Sequence, residues 1–464
     1  MATSANFAAG LSLSNFAQAT ELKQRIWFTL GALIIFRLLS FVPLPGIDPV
    51  ALQQVVDITQ QNTGGGGILN IFNTFAGGSL ERMSLIALGV MPYITASIVV
   101  QMAAALSPTL AAIKKEGESG RKKLNQYTRY GTVFLTAIQG YFLAVGLETL
   151  STSQGVQVLV SDNVALFRIG AVVSLIGGTM FLMWLGEQIT ARGVGNGVSL
   201  IIMAGIVAQM PLEFAQLFAQ GQTGALSIPA IFGYLLLILG LIFGICFMER
   251  AQRRVLIQYP KRAQARGGMQ AEKSHLPLKI NTAGVIPPIF ASSLLLMPLT
   301  VAQFMGGGVG LDGAPATGND LLLTITAALQ RGGSLYLLLY AALIIFFCFF
   351  YTAVVFNPEE TAENLKRYGG FVPGIRPGKN TEKYLDYVLT RITVVGAAYL
   401  TLICMIPEII ATQSGIMAFV LGGTSLLIVV NVTIDTVGQI QGHLMAHQYG
   451  DLIKKAKLKG RPRR

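Results

Sequence analysis

The chain has 464 residues, 52% of them apolar and only 12% charged, with a mean hydropathy of +0.59 and a net charge of +12. A soluble enzyme of this length carries roughly twice that share of charge, so the composition excludes a water-soluble catalyst. The positive balance alone would suit a nucleic-acid binder, but the basic residues sort by loop, and topology accounts for most of them.

Residues 1–24 lack a basic n-region followed by a compact apolar core, so no cleavable signal is expected and this segment stays as a cytosolic N-terminus. Apolar stretches then follow near 25–42, 83–106, 131–147, 167–185, 198–218, 228–248, 280–303, 335–356, 386–406 and 415–440. About 20 apolar residues cross a bilayer as a helix. The intervening loops alternate. One register holds Lys114, Lys115, Arg121, Lys122 and Lys123, then Arg192, then Arg250 to Lys279, then Lys366 to Lys383, and the 441–464 tail. The other holds only Arg82 and Arg331. Cytoplasmic loops retain Lys and Arg, which predicts an even number of spans with both termini in the cytosol. The expected fold class is an all-α polytopic membrane protein with ten transmembrane helices.

After the first span, Val42-Pro43-Leu44-Pro45-Gly46 makes a rigid exit. Next, Gly64 to Gly67 and Gly77-Gly78 flank a short apolar body, too short to span, that reads either as an outer surface segment or as a re-entrant element. Five spans precede the loop near 219–228 and five follow it. An odd number per half makes any relation between residues 25–218 and 219–440 an inverted one. The loops 249–279 and 357–384 are long, basic and rich in proline and glycine turns, as contact surfaces are.

Catalytic and metal chemistry find no support. Gly193-Val194-Gly195-Asn196-Gly197 lacks the strand and spacing of a dinucleotide loop and reads as a tight turn between spans. His443 and His447 share a helix face but lack a third ligand. Cys246, Cys348 and Cys404 fall in separate spans and read as packing residues. No catalytic residue, metal or cofactor is therefore expected. Intramembrane charge is scarce: Arg37 lies deep in the first span, and Asp386, Glu408 and Asp435 lie nearer span ends. That weighs against an ion-coupled secondary transporter with inverted repeats, which stays as the alternative. A pore-less scaffolding subunit is the third possibility.

The chain resembles the SecY family of protein-conducting channels in several segments, in family order. They are Val42-Pro43-Leu44-Pro45-Gly46-Ile47-Asp48; Leu88 to Ile98 (LGVMPYITASI); Arg192 to Gly197 (RGVGNG); and Leu276 to Asn281 (LPLKIN), with Gly284 to Pro287 and Phe290 to Ser293. Asn357 to Leu365 (NPEETAENL), Phe371 to Gly378 (FVPGIRPG) and Gly422 to Val430 (GGTSLLIVV) complete them. The resemblance implies two inverted five-helix halves around an hourglass pore, closed by an apolar ring at Val90, Ile94, Ile202, Ile206, Ile289 and Ile428. A narrow hydrophobic neck dewets and blocks ions, and Val90, where isoleucine is common, implies a slightly wider one. It places a plug at about 64–80, with Ile68, Leu69, Ile71, Phe72 and Phe75 as its body. It places a lateral gate between spans two and three on one side and seven and eight on the other, with polar positions Thr95, Gln101 and Asn281. Arg253, Arg254, Lys261, Arg262, Arg376 and Lys379 become partner-binding residues. The implied partners are the small subunits SecE and SecG, the SecA motor, a translating ribosome, unfolded polypeptide bearing a signal sequence, and membrane lipid. The implied location is a bacterial inner membrane.

Overall fold

The computed structural model describes residues 20–54, 76–154, 163–224, 227–259, 272–302, 333–414 and 422–459. The expected plug body (Ile68, Leu69, Ile71, Phe72 and Phe75), together with Lys261 and Arg262, lies outside the described residues.

The fold is helical. In chain order the elements are α1 (Thr20–Leu39), α2 (Met91–Leu106), α3 (Pro108–Lys115), α4 (Glu118–Gln154), α5 (Val164–Arg192), α6 (Gly197–Gln222) and α7 (Ile228–Arg250). A hairpin of β1 (Gln252–Tyr259) and β2 (Glu272–Lys279) follows, then α8 (Ile286–Ala302), α9 (Ser334–Val355), α10 (Pro358–Arg367), α11 (Lys379–Ser414) and α12 (Gly423–Lys459). Each of the ten apolar stretches carries a helix. Among the described residues, seven helices are long and apolar enough to cross a membrane, and an eighth span results if α2 and α3 are taken together. The other two differ for simple reasons: α1 carries Glu21, Lys23, Arg25 and Arg37 within its 20 residues, and α8 has only 17 residues.

The side-chain pattern inverts that of a soluble bundle. On α7, Phe232, Leu236, Leu239, Phe243 and Phe247 are exposed at helical spacing, as a lipid-facing stripe is. The stripe turned inward on α9 is Tyr336, Tyr340, Ile344, Phe347, Cys348 and Thr352. Phe347 meets Phe290 of α8 edge to face, with 5.7 Å between ring centroids.

Two details depart from the expected spans. The helix in the 83–106 stretch begins only at Met91, and α2 and α3 meet at a 105° bend beside Pro108. Residues 76–90 run instead as a chain of turns, with Leu80, Met83, Ser84, Ile86, Ala87 and Leu88 buried. Irregular backbone at membrane depth is stable only where protein satisfies its polar groups. Here Leu44 N–H donates to the Met83 carbonyl at 2.9 Å, and Leu85 N–H donates to the Val42 carbonyl at 2.9 Å. The Val42–Leu44 exit from α1 therefore serves as the pairing partner of this strap, residues 76–90.

The chain divides into two compact units. One comprises Met1–Ser97, Asn125–Glu213 and Ile428–Arg464; the other comprises Ile98–Leu124 and Phe214–Leu427. In the first, the 193–197 segment is the expected tight turn, and it is pinned on three sides. Val194 N–H donates to Thr29 Oγ1 (3.1 Å), Gly195 N–H to Gln439 Oε1 (2.9 Å) and Gly197 N–H to Thr190 Oγ1 (2.9 Å). Leu22, Val194 and Leu444 form a small core beside it, so the turn ties α5 and α6 to α1 and α12.

Candidate functional site

In the second unit, the two long basic loops form one body. The first folds as an antiparallel hairpin in which Gln252 faces Lys279 and Tyr259 faces Glu272. Val255 and Ile257, two apart, point to its buried face, while Arg253 and Arg254 stay exposed at the start of β1. The second loop joins the hairpin edge: Gln258 and Phe371 exchange backbone hydrogen bonds of 2.9 and 3.0 Å. Beneath them lie two apolar clusters, Val255, Leu278, Val372, Val388 and Ile392, and Ile257, Ala362, Leu365 and Leu385. The loops are therefore mounted on α11, which supplies Leu385, Val388 and Ile392. Helix α10 is capped by Asn357, whose Oδ1 accepts from Glu359 N–H (3.1 Å) and Glu360 N–H (3.5 Å). Its acidic first turn and basic last turn both oppose the helix dipole.

Arg376 is exposed at the far end of this platform, between Gly374 (φ +83°) and Gly378 (φ +108°). Those left-handed glycines turn the chain sharply on either side of it. Its carbonyl accepts from Thr381 Oγ1 at 3.1 Å. The backbone is thus held while the guanidinium stands free of any carboxylate among the described residues. Lys379 is exposed at the start of α11.

In the first unit, Val90, Ile94, Ile202, Ile206 and Ile428 are all buried. Val90 and Ile94 are one helical turn apart, with Ile94 N–H on the Val90 carbonyl at 3.1 Å. Ile202 and Ile206 share a face of α6, and Ile428 lies in the second turn of α12. Ile289, on α8 in the other unit, is only half-buried.

The described end of the 64–80 segment is anchored. Arg37 Nη1 donates to the Gly77 carbonyl at 2.7 Å, and its guanidinium lies 5.1 Å from the Phe41 ring, which Arg82 approaches at 4.3 Å. Gly77 has φ +66°, and a Cβ on it would stand 2.8 Å from the Gly205 Cα of α6. Only glycine fits there. Arg37, deep in the first span, thus holds backbone.

The three expected gate positions have different surroundings. Thr95 Oγ1 donates to the Met91 carbonyl of its own helix at 3.1 Å, and Gln101 is exposed on α2. Asn281 is buried and donates through Nδ2 to Glu249 Oε1 (2.5 Å) and to the Gly284 carbonyl (3.1 Å). Asp386 and Asp435 are exposed, while Glu408 is buried. Glu213 of α6 and Glu249 of α7 are buried as well, and reading the sequence for intramembrane charge missed both. For Glu249 a signal existed: it is a carboxylate in the last turn of a helix, where the dipole favours a cation. Among the described residues, no cluster of three or more His, Cys, Asp or Glu side chains could hold a metal ion.

The helical architecture is that of a protein-conducting channel. It resembles a solved structure described as "The structure of a protein conducting channel", with a TM-score of 0.62 at 16% identity, covering 91% of this chain and 92% of that one. It also resembles "Sec61 in the Canine ribosome-channel complex from the endoplasmic reticulum", with a TM-score of 0.59 at 15% identity over 91% and 92%. The sequence model of the SecY family matches residues 84–437. The protein translocase subunit SecY of Escherichia coli K12 is 52% identical over 440 residues, covering 95% of this chain and 96% of that protein. This chain belongs to the SecY family.

Proposed function

We propose that this chain is the central subunit of a translocase, a channel that passes unfolded secretory polypeptide across the membrane and releases apolar segments sideways into lipid. The observation that carries this reading is the 52% identity, over almost the whole length, to a protein translocase subunit. The geometry supports it. Buried apolar side chains occupy the neck positions Val90, Ile94, Ile202, Ile206 and Ile428, where a hydrophobic constriction would seal against ions yet offer a passing chain no strong binding site. Sideways release follows partition: Leu, Ile, Phe and Val favour the bilayer centre by about 0.3–0.6 kcal/mol each, and Asp, Lys and Arg oppose it by about 2.5–3.5 kcal/mol. The relatives give the transporter alternative no support.

In this reading both termini are cytosolic, in the inner membrane of a bacterium, as the alternation of Lys and Arg between loops predicts. Residues 25–218 and 219–440 act as inverted halves, and Thr95, Gln101 and Asn281 mark the lateral gate. SecE and SecG are the small membrane partners. SecA or a translating ribosome supplies the drive through Arg253, Arg254, Lys261, Arg262, Arg376 and Lys379. The ribosome has support from the ribosome-bound Sec61 neighbour. Deleting residues 64–80 tests the channel itself. In a planar bilayer the deleted protein should conduct ions well above the intact one. Equal, negligible conductance from both would refute a plugged pore.

A further inference from the structure

The junction between the hairpin and α8 contains a buried polar contact that packing alone does not require. Helix α7 ends at Arg250, and β1 leaves it through Ala251, whose carbonyl accepts from Ile280 N–H at 3.1 Å just beyond β2. One residue before the end of α7, Glu249 is 7% exposed, and Asn281, at the start of the link from β2 to α8, is 3% exposed. Their side chains meet at 2.5 Å although 32 residues apart in sequence. The same amide nitrogen donates its second hydrogen to the Gly284 carbonyl, within the turn that leads into α8. Gly396 of α11 presses on this link so closely that a Cβ there would stand 2.9 Å from the Ile280 carbonyl.

Two features show that the contact holds a position rather than merely fills space. Glu249 sits at the negative end of its helix dipole, where a carboxylate is disfavoured unless a tertiary donor compensates. The Oδ1 of Asn281 is buried without a partner among the described residues, so the amide stays inside at a cost, and its donors are what keep it there. Resting on the channel reading above, we propose that Glu249 is a positioning residue that couples the hairpin to α8. Through Asn281, a load placed on the basic platform by a partner reaches the helix that carries Ile289.

The test uses the full chain with its small membrane subunits in proteoliposomes, supplied with SecA, ATP and an unfolded secretory precursor. Transport is measured against SecA concentration. Glu249→Ala should leave the half-saturating concentration within about twofold, because the docking surface is intact. It should lower the maximal rate about tenfold, the order expected when one hydrogen bond to a charged group is lost. Glu249→Gln keeps an acceptor and should lose about threefold at most. Asn281→Asp, which sets two carboxyls face to face, should behave like Glu249→Ala. The double variant Glu249→Gln with Asn281→Asp reverses donor and acceptor between these two residues but loses the bond to Gly284, and should recover part of the rate. An unaltered maximal rate in Glu249→Ala, a raised half-saturating concentration, or no recovery in the double variant would overturn the coupling role. Spin labels at Arg254 and Leu294, in a chain with its three cysteines replaced, give a second reading without transport. Their distance distribution should broaden in Glu249→Ala and narrow again in the double variant; an unchanged distribution also refutes the coupling. If the unaltered chain moves no precursor, the channel reading fails, and the label distances still decide the coupling.

Discussion

The positions proposed as an apolar neck and the basic platform are built on opposite physical principles. Val90, Ile94, Ile202, Ile206 and Ile428 have no polar atoms in their side chains and are buried. Around Arg376, by contrast, two left-handed glycines and the Thr381 hydroxyl fix the backbone while the charge stays exposed. A neck that must admit any sequence gains from non-directional contact, which scales with area and yields without breaking a specific bond. A surface that must select one partner gains from a charge held in one place, since electrostatic complementarity supplies specificity and speed of encounter. The neck should therefore respond to polarity at any of its positions, and the platform to the geometry of a single residue.

The sharpest way to break this contrast is at Arg376. Arg376→Glu should lower partner-driven transport about a hundredfold while leaving insertion and subunit assembly intact, because it places a repulsive charge where a forked donor stood. Arg376→Lys keeps the charge without the fork and should retain partial activity. Lys366→Glu, at the exposed end of α10, should change the rate less than twofold. A reconstituted transport assay compares the three. Equal effects would reduce the platform to bulk charge.

A smaller effect is expected at the neck. Ile428→Asn buries an amide where Ile428 is 1% exposed. With a penalty of about 2 kcal/mol, the closed state should lose roughly thirtyfold in population, read as a rise in ion conductance and in export of precursors with defective signals. Ile289→Asn, at a half-buried position, should give a few-fold rise at most. Greater leakage from Ile289 than from Ile428 would show that burial is the wrong measure of the seal.

The smallest effect belongs to the strap. Arg37→Met removes the donor to the Gly77 carbonyl and one of the two cations on the Phe41 ring. With about 1 kcal/mol at stake, the apparent Tm in detergent should fall by about 1 °C, since unfolding entropy is about 2.1 cal/mol/K per residue. Neck conductance should change less than in Ile428→Asn. An unchanged Tm would mean that the close approach of Gly77 to Gly205 holds the strap alone.

Much of this was legible in the order of residues. The positions of ten helices follow from runs of apolar side chains, because a helix in lipid satisfies its backbone internally and needs only enough length and hydrophobicity. The tight turn at 193–197 and the sharp turns around Arg376 were legible for a related reason, since glycine and proline restrict or free the backbone locally. The late start of α2 was not. Residues 83–90 are as apolar as a span, and only the pairing of Leu85 with Val42 and of Leu44 with Met83 makes an irregular path stable there.

The sequence by itself determined that this is a polytopic membrane protein, which ten apolar stretches carry helices, and which family it resembles. These properties depend on composition, period and local motif, and each can be read within a window of residues. Only the tertiary structure decided that the two basic loops join through Gln258 and Phe371, that Arg37 holds the Gly77 carbonyl, and that Glu249 is buried against Asn281. Those contacts link residues 113, 40 and 32 positions apart. No local pattern encodes them. A buried donor must find whichever acceptor the packed chain brings near, and that choice exists only once the helices have assembled.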